Sequence, residues 1–140
     1  MYFINQKTGS SMEKDQLNEV TNVRQRENEG YRRWFSNSYF DLILWYDKKD
    51  GDFFGFQLCY SKNKSERVFT WTHEYSSSHL VSDTFIEKGF SKMSTGILKG
   101  DGGIIPENVI NKFIDESNHL EIHLQQLILN KIGLYNSSRY

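Results

Sequence analysis

One cysteine and one proline occur in 140 residues, and neither sign of charge prevails. Seventeen Lys plus Arg stand against eighteen Asp plus Glu, a formal net charge of −1. The lone Cys59 excludes an internal disulfide and a multi-cysteine zinc site, which suits a reducing compartment. No basic half or stripe supplies the footprint that phosphate backbones require, so nucleic acid is not expected as a partner. No apolar run approaches the roughly 20 residues that span a bilayer, and the opening MYFINQKTGSSMEKDQ is too polar for a secretory signal. A cytoplasmic protein without membrane contact is the expectation. The length suits one domain with one core, and because 15% of the residues are aromatic against 37% hydrophobic in all, that core should be rich in rings.

Those rings are concentrated in one stretch. Residues 31 to 75 hold three Trp, six Phe and five Tyr, broken by short turn signals. Alternating aromatics between tight turns predict an antiparallel meander, since successive side chains in a strand point to opposite faces. Strand Tyr31–Phe35 turns at Asn37-Ser38 into Tyr39–Tyr46. A three-residue loop, Lys49-Asp50-Gly51, with Gly51 left-handed, leads to Asp52–Tyr60. A turn around Asn63-Lys64 leads to Glu66–His73. These loop lengths set Leu44 against Phe56, Leu42 against Leu58, Leu58 against Phe69 and Phe56 against Trp71.

The flanks carry weaker signals. Residues 1–12 read as a flexible leader, 13–135 as a single α+β domain and 136–140 as a frayed tail. A polar edge strand is expected from Leu17 to Arg26, although Ser11 could instead cap a helix. Ser76-Ser77-Ser78 reads as a loop, Leu80–Ile86 and Lys92–Leu98 as strands, and Gly100 to Gly103 as a turn. Pro106 opens a helix whose apolar face is Val109, Ile110, Phe113 and Ile114. Asn118 and Glu121 resemble a capping box for a second helix bearing Leu120, Leu124, Leu127, Ile128 and Ile132, which Gly133 should stop. The fold class is thus α+β: an antiparallel meander of about five to seven strands packed on one face by two C-terminal helices.

With these registers, one face carries Tyr31, Phe35, Phe40, Leu42, Leu44, Phe54, Phe56, Leu58, Phe69 and Trp71, the side for the helices. The other carries Arg32, Trp34, Asp41, Ile43, Trp45, Phe53, Gly55, Gln57, Cys59, Val68, Thr70 and Thr72. A wetted antiparallel sheet normally shows polar residues there. This face is too apolar for that, so it is covered by residues 80 to 98, closed by curvature, or used for a partner or ligand.

Arg32, Trp34, Asp41, Trp45, Gln57 and Thr70 are therefore the candidate ligand-binding or interface residues. A guanidinium fork, a carboxylate and an amide walled by indoles suit a small polar ligand, while an internal salt bridge is the plainer alternative. Cys59 and His73 fall on opposite faces, which weakens a nucleophile-and-base pair. His73, Glu74, His79 and Asp83 have ligand chemistry but no metal spacing. His119 and His123 in HLEIH share a helix face, but the glutamate of HExxH is missing from its place. GDGG before Pro106 lacks the GK[ST] of a phosphate loop. No catalytic set, metal or cofactor is assigned.

The segments RRWF, FDLILWYD, GFQLCY and ERVFTW, with an echo at KMSTGILKGDGG, resemble a group of small uncharacterised bacterial proteins. The likeness covers residues 31 to 73. It implies bacterial origin and one domain, and it transfers no site. The expected function is a non-enzymatic binding or interaction module, using the aromatic sheet face for homodimerisation or small-ligand capture. The alternatives are a hydrolase- or lyase-like enzyme with Arg32, Asp41 and His73 in a concave sheet, and an immunity- or antitoxin-like inhibitor of a cognate protein.

Overall fold

Among the described residues, seven antiparallel strands follow one another in chain order across a single sheet, and two helices come after them. The computed structural model describes residues 15–62, 65–74, 76–81, 98–101 and 103–139. The strands are β1 (Asn18–Glu19), β2 (Tyr31–Ser36), β3 (Asp41–Tyr46), β4 (Phe53–Tyr60), β5 (Arg67–Thr72), β6 (Ser76–Val81) and β7 (Leu98–Asp101). The helices are α1 (Glu107–Glu116) and α2 (Ile122–Ser138). No described helix is long and apolar enough to cross a membrane.

The central registers match the sequence pattern. Leu44 pairs with Phe56, Leu42 with Leu58, Leu58 with Phe69 and Phe56 with Trp71. Leu42, Leu44, Phe56, Leu58, Phe69, Phe35 and Phe40 form one core with Val109 and Phe113 of α1 and Leu124, Ile128, Ile132 and Tyr135 of α2, and Trp71 packs against it. The chain contains no alanine, the strongest helix former, so both helices draw their stability from this packing rather than from propensity. Phe113 meets the Phe40 ring edge-on at 5.7 Å, and Tyr135 meets Phe69 at 5.1 Å.

The hairpin between β3 and β4 departs from expectation. Asp47 and Asp52 close it, with the Asp47 N–H donating to the Asp52 carbonyl and the Asp52 N–H to Asp47 Oδ1. Four residues therefore lie in the loop, and Asp50, not Gly51, is left-handed at φ 60°. Aspartate tolerates this region through local hydrogen bonding. Gly51 is needed for a different reason: a Cβ there would collide with the Asp47 carboxylate. The register then shifts between Trp45 and Tyr46, so Trp45 faces Gly55 while Tyr46 faces Phe53. That bulge inverts two expected positions. Phe53 packs against the core, stacked on Trp71 at 6.2 Å, and Phe54 is 42% exposed.

Other differences lie at element ends. Tyr31 shares a face with Phe35 but sits half-buried outside the core, and Ile114 is exposed rather than packed. β1 is two residues long, because Asn22 turns the chain away at φ 59°. Ser76-Ser77-Ser78 is strand, paired with Phe69 to Trp71, and Gly100 and Asp101 end β7 instead of forming a turn. Of the expected strand Leu80–Ile86, Leu80 and Val81 belong to β6, and the rest, like most of Lys92–Leu98 and the leader, lies outside the described residues. Gly133 lies within α2, which runs through the expected tail. There the Asn136 carboxamide bonds both backbone groups of Ile105, at 2.9 Å each.

Glu121 is the residue before α2, but it makes no side-chain cap. Its carboxylate goes to Arg33 on β2 instead, at 3.0 Å, while Glu19 of β1 takes the same guanidinium through two 2.9 Å bonds. Arg33 thus ties the first two strands to the second helix. Its fork geometry suits this double engagement in a way that a lysine could not reproduce.

Candidate functional site

Period-two geometry places Arg32, Trp34, Asp41, Trp45, Gln57 and Thr70 on the face turned away from the helices. The register divides them. Arg32 lies opposite Trp45 at one end of the β2–β3 pair, and Asp41 lies opposite Ser36 at the other. Arg32 and Asp41 therefore do not form a site together. Gln57 and Thr70 lie in the middle, 0% and 1% exposed, with the Gln57 amide donating to Thr70 Oγ1 at 3.3 Å. Around them Ile43, Cys59 and Val68 are buried as well. The centre of this face is closed within the single chain, and of the six candidates Arg32, Trp34 and Trp45 remain half-exposed.

Asp41 is the hub of the far end. Its Oδ1 accepts from the Trp34 indole N–H at 3.1 Å and from the Ser36 hydroxyl at 2.6 Å. Its Oδ2 meets the Lys62 ammonium at 3.2 Å. Lys62 is held in turn by the Asn37 carbonyl at 2.7 Å. Trp34 is thereby fixed in orientation by a mostly buried carboxylate. The internal ion pair weighed for Asp41 exists, with Lys62 rather than Arg32 as partner.

Glu66 completes this cluster, 7% exposed on the same face as Val68 and Thr70. Burial first, and then the Asp41 charge, push its carboxyl up to about 7, against the opposing pull of Lys62. Glu66, Ser36 and Lys62 escaped the sequence reading because they fall at strand ends and turns. The parity of Glu66 with Val68 was the available signal. Cys59 is fully buried beside these carboxylates, and desolvation raises its thiol well above the ordinary range, which suppresses the thiolate a nucleophile needs.

A pH profile follows from two acids of opposite sign. The folded state keeps the Glu66 proton up to about pH 7, whereas an ordinary carboxyl loses it near 4.5. The stabilisation from that retained proton is complete below about 4.5 and is lost as pH rises toward 7. Glu121 is depressed, chiefly by its bond to Arg33, so its contribution is present above the ordinary carboxyl value and is lost as pH falls further. Stability should therefore peak in mildly acid solution. Glu66→Gln should flatten the descending limb and be more stable than the parent at pH 8 by on the order of 1–2 kcal/mol, measured by urea unfolding.

Arg32 is engaged differently. The Gln25 carboxamide pairs with both Arg32 backbone groups at 2.9 Å, as a neighbouring strand would, and the Arg32 guanidinium donates to the Arg24 carbonyl. Burial, then Arg26, lower the Arg32 pKa. Beside it runs a groove of about 430 Å³ lined by residues 19–23, Gln25 and residues 31–33. His73 accompanies neither end: its Nε2 contacts the Phe53 carbonyl at 3.0 Å, and its ring packs on Trp71 and Phe54. His119 bonds Asn18 across to β1. Among the described residues no cluster of three His, Cys, Asp or Glu side chains could hold a metal ion. Asp83 lies outside them.

Comparison of the chain with protein-family models, with curated proteins and with solved structures yields no match.

Proposed function

We propose that this protein is a non-enzymatic interaction module that self-associates through the Trp34–Trp45 strip of its sheet. One observation carries the reading. On a face whose centre is sealed to 2% exposure or less at Ile43, Cys59, Gln57, Val68 and Thr70, the two indoles stay half-exposed. One of them is pinned by Asp41 and loses little further freedom on contact. Rigid aromatic rings of this kind anchor interfaces. A two-fold arrangement would set each strip against its copy, and a net charge of −1 offers little repulsion.

Sedimentation velocity over a concentration series tests this. The parent should shift from monomer to dimer mass, and Trp45→Ser should weaken the dimer about tenfold or more while keeping its far-ultraviolet spectrum. A parent that stays monomeric at every concentration sinks the reading. Small-ligand capture is the second reading, favoured by the groove beside Arg32, whose volume lies in the range of small-molecule sites. A monomer whose tryptophan emission responds to added ligand would favour it.

A further inference from the structure

On the helix-facing side of the sheet, three strands bring together polar groups that lack well-aligned partners among the described residues. Tyr60 of β4 is directly opposite Arg67 of β5. Ser78 of β6 pairs with Phe69 and so lies diagonal to Arg67 on the same face. Tyr60 is 1% exposed and Ser78 2%, and their hydroxyls lie within reach of each other, yet among the described residues neither has a well-aligned hydrogen-bond partner, nor does the buried Nε of Arg67. Native proteins leave few such atoms unpaired, and three in one cross-strand group are not scattered imperfections.

We propose that Tyr60, Arg67 and Ser78 form an internal receptor for a small oxyanion, a carboxylate or a phosphate. Each of the three groups is able to donate, and Arg67 Nε can only donate. The missing complement is therefore an acceptor. It should carry negative charge, because the ion-paired carboxylates described are committed elsewhere: Glu19 and Glu121 to Arg33, Asp41 to Lys62, Glu116 to Lys112. A water molecule could satisfy the hydroxyls but would not compensate the guanidinium. A planar guanidinium edge matches two oxygens of a carboxylate or phosphate, and the hydroxyls extend that donor set inward. Arg67 is half-buried, so it joins the two sealed hydroxyls to the surface. Burial raises the Tyr60 phenol to about 12, which keeps it a donor throughout the neutral range, and the nearby Arg67 and Ser78 only moderate that rise.

Thermal unfolding of the full chain in inorganic phosphate, in acetate and in chloride at matched ionic strength tests the assignment. The parent should show a saturable rise in melting temperature in phosphate, acetate or both, over chloride. The responding arm names the oxyanion. Arg67→Met should abolish the rise, and Tyr60→Phe should weaken apparent binding about tenfold, as loss of one hydrogen bond to a charged group does. Tyr60→Phe removes only a hydroxyl without a well-aligned partner and keeps the ring in the core, so it should fold as the parent does. Indistinguishable curves in the three salts overturn the proposal. So does a rise that persists unchanged in Tyr60→Phe and Arg67→Met, which would place the anion elsewhere.

Discussion

Phe113→Ala should cost about 4 kcal/mol of unfolding free energy, among the largest single losses available to this chain. The ring is fully buried at the centre of the contact between α1 and the sheet, edge-on to Phe40. Its removal forfeits the transfer free energy of the ring and opens a void that rigid neighbours cannot close. Val109 and the half-buried Ile110 would then be what holds the apolar stripe of α1 on the sheet. The C-terminus of α1 would loosen next. There Leu17 donates its N–H to the Glu116 carbonyl, and Gln16 and Asn37 reach Asp115 and Glu116. Urea unfolding followed by both circular dichroism and tryptophan emission measures the loss. A cost below 1 kcal/mol would mean that α1 is not clamped where its apolar stripe sits.

Asp41→Ala should cost about 3 kcal/mol, for a different reason. The carboxylate is the shared acceptor for Trp34 and Ser36 and the counter-charge for Lys62. Without it an ammonium that is three-quarters shielded keeps only neutral partners, two carbonyls and the Ser36 hydroxyl, and the indole N–H of Trp34 loses the Asp41 carboxylate. Asp41→Asn separates the two effects, since it restores an acceptor without the charge. It should recover about 1 kcal/mol, with the Trp34 emission returning toward that of the parent. Loss of the Asp41 charge should also lower the Glu66 pKa, because that charge is the second cause of its elevation. The decline in stability between weakly acid and neutral pH should then shrink. A full-sized decline in Asp41→Ala would show that the two carboxylates do not sense each other.

The strand registers were legible because period-two alternation is strong where one face must be buried: moving Leu42, Leu44 and Phe56 by one residue would turn all three outward. The α+β architecture and the role of the C-terminal helices follow from the same logic. What resisted reading were places where a single residue's conformation overrides pattern. Asp50 in the left-handed region adds a loop residue, and the bulge beside Trp45 exchanges Phe53 and Phe54, which no hydropathy pattern can distinguish. Asn22 ends β1 after two paired residues in a stretch that otherwise suits a polar strand. Glu121 looked like a reciprocal cap to Asn118, but the guanidinium across the sheet competes better for its carboxylate. The candidate site was legible only in part. Trp34 and Asp41 share a face and a bond, whereas the partners of Asp41 come from a turn and a strand end. Arg32 belongs to another neighbourhood, because the register sets it and Asp41 at opposite ends of the β2–β3 pair.

The Gln25 carboxamide has a consequence for colloidal behaviour. By occupying the outward peptide group of Arg32, it fills the rung to which an incoming chain would add, at the margin of the sheet where β1 gives out. Crowded molecules that collide there find that rung already taken, so fibrillar stacking has no template at this border while the side chain holds.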